Sequence, residues 1–184
     1  ADHESIAQFD FIKDRVIIVN GVSKGYAMTG WRIGYIGAPV EIAKACDKMQ
    51  GQFTSAPCSI AQKAALKAVS TEWSLYEFMR ESFLRRRDMV LELMQDIPGW
   101  KFNKPKGAFY VFPDVTYFFG KSDGEAVIKN ATDLCMYLLK DAKVSLVTGE
   151  AFGDPRCVRI SYATSDDILR EALKRIKESL AKLK

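Results

Sequence analysis

The chain of 184 residues is 48% hydrophobic and 27% charged with a net charge of +4, the balance of a globular protein able to bury a sizeable core. No stretch approaches the roughly 20 apolar residues of a membrane-spanning helix, and the acidic opening "ADHESIAQFD" lacks the apolar run of a signal peptide, so no membrane partner is expected. One histidine, His3, and four scattered cysteines with no CxxC pair argue against His-based metal sites, Ser-His-Asp chemistry and a disulfide framework, and favour a reduced, cytosolic setting.

In chain order, "RVIIVNG" (15–21) reads as a buried strand closed by an Asn-Gly turn. "WRIGYIGAP" (31–39) is a second strand, loosened by its glycines and stopped by Pro39. Residues 40–52 follow helical spacing, and Pro57 opens a further helix to about Val69. A long helix is expected from Glu72 to Asp96, ended by "PGW" (98–100). After it, "WKF" and "GAFYVF" read as a strand pair, 123–141 as a helix, and "KVSLV" and "CVRISYA" as strands. The last helix has Ser165 as N-cap, Asp166 and Asp167 in its first turn, and one stripe of Leu169, Leu173, Ile176, Leu180 and Leu183. The fold class is therefore α/β, with an α+β second part, and the long helix is the expected hinge between two lobes.

"RRR" (85–87) and the Lys-rich tail fall on helical patterns and are expected to be solvated helix faces. With no recognition helix or basic-aromatic strand motif, no nucleic-acid partner is expected. Because the sequence does not begin with Met, it is expected to be a processed product, a fragment or a trimmed form. A lobe with only two strands would bury little by itself, and its exposed edges would favour self-association.

The segment with most chemical content is "GVSKGYAMTGWRIGY" (21–35). A lysine in a turn at the end of a buried strand is placed to enter a cleft, and a lowered pKa would make it a nucleophile toward aldehydes. Arg32 offers a fork of donors suited to phosphate. Amine and arginine together are what a phosphorylated aldehyde such as pyridoxal 5′-phosphate requires. By spacing alone a lysine in a surface turn is usually only a solvated charge, and Arg32 could be a strand arginine paired with a carboxylate. In "CVRISYA", alternation puts Val158, Ile160 and Tyr162 on one face and Arg159 and Ser161 on the other.

Gly21, Ser23, Lys24, Gly30, Arg32 and Gly34 together resemble the lysine signature of the class I/II, fold type I aminotransferases, which often have Ser at the place of Gly21. "GAFYVFPD" (107–114), "GEAFG" (149–153) and "VRISYATS" (158–165) are similar to later blocks of the same family. The resemblance implies the C-terminal part of that fold: residues 1–80 as the end of a large cofactor-binding domain and 81–184 as the small domain. It implies that Lys24 is the catalytic lysine holding pyridoxal 5′-phosphate as a Schiff base. Ser23 and Arg32 would lie at the cofactor, Arg32 on its phosphate, and Arg159 would grip the substrate α-carboxylate. No metal is implied.

The activity implied is ping-pong transfer of an amino group between an amino acid and a 2-oxo acid, in a cytoplasmic homodimer. "MTGWRIGY" and "VRISYATS" look most like the bacterial aspartate-type branch, so aspartate with 2-oxoglutarate comes first and aromatic or alanine substrates next. A lyase or decarboxylase of the same fold and a non-catalytic dimerising fragment are the alternatives. "TSAPCSIAQ" (54–62) resembles a segment near the family's dimer interface and equally reads as a loop capping the next helix. Members of this family are about twice as long, and the rest of the cofactor cradle would belong to the half that precedes this sequence.

Overall fold

A computed structural model describes residues 3–184. The chain divides into two compact units, the first ending at Glu77 and the second comprising Phe78–Lys184.

In the first unit, β1 (Ile18–Gly21) pairs antiparallel with β2 (Gly34–Gly37), with Gly21 opposite Gly34 and Ile18 opposite Gly37. Two helices follow, α1 (Val40–Phe53) and α2 (Ser59–Val69). Both strands are shorter than the apolar runs suggest. Asp10–Arg15 is a 3-10 helix carrying an i,i+3 Lys13–Asp10 pair at 3.6 Å. Thr29–Trp31 is a 3-10 turn, and Arg32 follows it at φ 54° and ψ 50°, so Arg32 is not a strand residue. The small core of this unit joins Val22 and Ile33, at the two ends of the hairpin loop, to Ala61 and Ala65 of α2. Its sheet is thinly covered: Val19 is 77% exposed, and a two-stranded sheet is marginal by itself. The 54–62 segment leads into α2, where Gln62 Nε2 donates to Pro57 O at 2.8 Å.

The expected 72–96 helix begins late. Trp73–Leu75 is a 3-10 turn and α3 runs Glu77–Gln95. In the second unit the sheet order is β3 (Tyr110–Val111), β5 (Val158–Ser161), β4 (Val147–Thr148), all antiparallel. "WKF" contributes only an isolated Lys101–Asp114 bridge, and "GAFYVF" pairs with β5 instead. Ala108 at φ 62° and the prolines at 105 and 113 shorten that strand, since proline has no ladder N–H and a left-handed residue breaks the pleat. "KVSLV" likewise yields only its last residue to β4, because Lys143 is left-handed at φ 57°.

Helix α4 (Ala131–Asp141) begins well after 123. Asp123 Oδ1 instead accepts from the backbone of Glu125 and Ala126, at 3.0 and 2.8 Å. Asn130 Oδ1 then caps the helix through Asp133 N at 2.9 Å. Short polar side chains compete with helix in this way and favour its start.

Helix α5 (Asp166–Leu180) buries Leu169, Leu173, Ile176 and Leu180, and Leu183 is buried just beyond its end. Ser165 holds the N-cap position, but its hydroxyl makes no cap bond. The core closes on Val90 and Met94 of α3, Leu134 and Leu138 of α4, and Val158, Ile160 and Tyr162.

The arginine run is solvated mainly at Arg85, whose side chain is 59% exposed. Arg85 and Arg86 both reach Asp166 in the first turn of α5, Arg86 Nε at 3.2 Å. Arg87 bonds Asp88 and Pro105 O. The side chains of Arg86 and Arg87 are only 24% and 14% exposed. All four cysteines are free, with Cys135 and Cys157 buried. Burial pushes the Cys135 thiol up to about 11, so it stays protonated at neutral pH.

Several carboxylates of this unit titrate low. Asp154 accepts from the Arg156 guanidinium at 2.8 and 3.0 Å and from Arg156 N at 3.0 Å. These bonds, the side-chain ones foremost, hold it down to about 2. Asp166 is lowered by Arg85, Asp141 by Lys182 and Asp114 by Thr116. A folded-state pKa below the unfolded value of about 3.9 stabilises above that value and ceases to do so as pH falls through the folded one. The denaturant midpoint of this unit should therefore hold from neutral pH to about 4 and fall between about 4 and 2. Asp154→Asn should remove part of that fall; an unchanged acid limb in the variant would contradict the assignment.

Candidate active site

Residues 22–33 form the loop joining β1 to β2, and Ser23, Lys24 and Arg32 all lie on it. Its base is narrow by composition. A Cβ on Gly21 would come within 3.2 Å of Ile33 O, and one on Gly34 within 3.3 Å of Asn20 O. The two glycines let the backbones close, and Val22 N donates to Ile33 O at 3.3 Å. Val22 and Ile33 then turn inward; between them Lys24, Ala27 and Thr29–Arg32 are exposed, while Ser23, Tyr26 and Met28 are half-buried.

Lys24 sits on a turn closed by Ala27 N donating to Lys24 O at 3.2 Å, and it is exposed. The cavity beside the hairpin, about 520 Å³, is walled by Ile33, Tyr35, Pro57, Leu66 and Val69 and includes neither Lys24 nor Arg32. Ser23, next to Lys24, is half-buried. Arg32 is exposed, and its left-handed backbone carries Nη1 back to Thr29 O at 2.8 Å. One of the five guanidinium N–H donors is thereby committed to fixing the side chain. One loop thus presents an amine, a hydroxyl and a guanidinium, a donor set that fits an aldehyde bearing a phosphate.

In the second unit, β5 places Arg159 opposite Val147 and Ser161 opposite Tyr110. Paired and alternate residues share a face, so Tyr110 lies on the face of Arg159 while Val158 and Ile160 go to the core. The guanidinium stacks on Tyr110, 4.4 Å from its centroid, and on Phe152, 4.0 Å away. Phe152 also meets Phe112 edge-on at 6.4 Å. Such stacking holds a planar cation in one orientation with its edge free to bond. Reading the sequence singled out Arg159 and missed both aromatics. Tyr110 was readable only with the β3–β5 register, and Phe152 only with the turn that carries it.

That turn depends on Gly149. Gly149–Phe152 is 3-10, Gly149 N donates to Cys157 O at 2.7 Å, and Asp154 N donates to Gly149 O at 3.1 Å. A Cβ on Gly149 would collide with the Asp154 and Cys157 carbonyls, which are backbone and cannot swing away. Gly149→Ala should destabilise the unit by about 1–3 kcal/mol and loosen Phe152 from Arg159. A wild-type denaturant midpoint in that variant would contradict this. Among the described residues no His/Cys/Asp/Glu group could hold a metal ion, and no helix is long and apolar enough to cross a membrane.

The fold is that of a partial fold type I domain. The chain belongs to the aminotransferase class I and II family, whose profile matches residues 2–176. It is 46% identical to the bifunctional aspartate aminotransferase and glutamate/aspartate-prephenate aminotransferase of Petunia hybrida, over 100% of this chain and 39% of that protein. To the aspartate/prephenate aminotransferase of Cereibacter sphaeroides it is 44% identical, over 99% of this chain and 48% of the other. The crystal structure of the aspartate aminotransferase from Rhizobium meliloti superposes with a TM-score of 0.93 at 46% identity, over 98% of this chain and 46% of that one. The chain thus spans less than half the length of these relatives.

Proposed function

We propose that this chain is the C-terminal part of an aspartate-type aminotransferase that moves an amino group from an amino acid to a 2-oxo acid. The observation that carries the reading is the β1–β2 loop, on which Ser23, Lys24 and Arg32 all lie. Pyridoxal 5′-phosphate, when bound, supplies the electron sink that makes the substrate Cα–H acidic. Lys24 is the residue that holds it covalently, and Arg32, assisted by Ser23, binds its phosphate. Displaced by the amine of the substrate, Lys24 would take the proton from the substrate Cα and deliver it to the carbon that carried the cofactor's aldehyde, as base and then acid. Arg159, oriented by Tyr110 and Phe152, receives the substrate α-carboxylate in a bidentate pair.

In the same proposal, residues 1–80 end the large cofactor domain and 81–184 form the small domain of a cytoplasmic homodimer. The thin cover over β1 and β2 supports an origin in a larger sheet. The relatives named above carry aspartate and prephenate in their names, which supports aspartate with 2-oxoglutarate as the pair and does not favour a lyase or decarboxylase. The test is turnover. The full-length gene product should form oxaloacetate from aspartate and 2-oxoglutarate faster than it uses alanine or aromatic amino acids, and the 184-residue chain should form none. Decarboxylation by the full-length protein without amino transfer would overturn the reading.

A further inference from the structure

The lysine loop contains two non-glycine residues in the left-handed region, Ala27 and Arg32, each at φ 54°. Such backbone is costly for an L-residue and persists where its surroundings over-determine it. For Arg32 the constraint is its own bond to Thr29 O. For Ala27, the turn bond to Lys24 O is joined by the side chains on either side of it, Tyr26 and Met28, both packed against the small core, and of the two Tyr26 adds ring contacts. The Tyr26 ring packs against the small core and stands edge-on to Tyr76, with centroids 5.1 Å apart and planes at 86°. It is also edge-on to Trp73, at 6.4 Å and 87°. Edge-to-face pairs of this kind fix ring orientation. The seat is itself anchored: Trp73 Nε1 donates to Glu77 Oε2 at 2.9 Å, and Tyr76 N to Trp73 O at 2.8 Å.

We propose that Tyr26 is a positioning residue for Lys24: seated on Trp73 and Tyr76, it locks the turn at 24–27 so that the lysine amine meets a cofactor aldehyde in one orientation. The inference rests on Lys24 as the cofactor lysine, and it differs from a merely stabilising aromatic cluster in what it predicts. Tyr26→Phe keeps the ring and should behave as wild type. Tyr26→Ala should free the turn without unfolding the unit.

Two readouts separate the inference from the reading beneath it. Amide exchange across 22–33 should quicken by about 10-fold or more in Tyr26→Ala with α2 unaffected, and should not change in Tyr26→Phe. Circular dichroism in the absorption band of added pyridoxal phosphate should be present for wild type and Tyr26→Phe and lost for Tyr26→Ala, even where Lys24 is still modified. Equal exchange in Tyr26→Ala and wild type would overturn the positioning role whatever the cofactor does. If pyridoxal phosphate added to the full-length wild-type protein never reacts at Lys24, the assignment of Lys24 fails, while the exchange result still decides whether Tyr26 holds the turn. Should Tyr26→Ala not fold, Trp73→Leu removes half of the seat and must quicken the same amides.

Discussion

Replacing Lys24 by Ala in the full-length gene product should abolish amino transfer, by about 10⁴-fold or more, since the side chain is proposed both to bond the cofactor and to carry the proton. Lys24→Arg should not rescue it, because a guanidinium stays protonated and cannot act as a nucleophile. Stability should change little, within about 0.5 kcal/mol, because Lys24 is exposed on a turn whose bond to Ala27 N is made by the backbone. Single-turnover formation of the oxo acid, set beside a denaturant melt, separates these effects. Residual activity within 10-fold of wild type would remove Lys24 from the proposed chemistry.

Arg159→Ala should reduce kcat/KM by about 2–5 kcal/mol, the cost of truncating one side of a hydrogen-bonded charge pair. The loss should be specific. A simple amine lacking the α-carboxylate should react with the variant as with wild type, because it never uses the arginine. Arg159→Lys keeps the charge but loses the fork and the stacking on Tyr110 and Phe152, so it should recover only part of the loss. Phe152→Leu should raise KM by a smaller factor, since Arg159 would keep its charge and one of its two aromatic faces. Equal losses on substrates with and without a carboxylate would instead mark Arg159 as structural.

What the sequence made legible was local or periodic. The leucine stripe of α5 and the alternation of β5 follow from spacing alone, and both recur in the buried set. The turn at Ser23–Lys24 was legible only in its approximate place: Asn20 and Gly21, expected to make it, are the last residues of β1, paired with Tyr35 and Gly34, and the chain turns just after them. The remainder depended on partners far along the chain. Arg85 and Arg86 look like a solvated face until Asp166, on another helix, is seen to hold them. Strands at 143–147 and 107–112 were overread because Lys143 and Ala108 adopt left-handed backbone that neither residue type favours. The same is true of Arg32. Its motif spacing was visible, but the turn that folds its side chain onto Thr29 was not. Tyr110, Phe152 and Tyr26 matter through register and packing, which no spacing rule reaches.

The central claim is that Lys24 is the residue that bonds the cofactor. The most direct measurement incubates the full-length gene product with pyridoxal phosphate, reduces with borohydride and maps the adduct by peptide mass spectrometry. One stoichiometric adduct on Lys24, reduced when inorganic phosphate competes for Arg32, is the result predicted. Low labelling scattered over many surface lysines, with Lys24 no more modified than the rest, would contradict it.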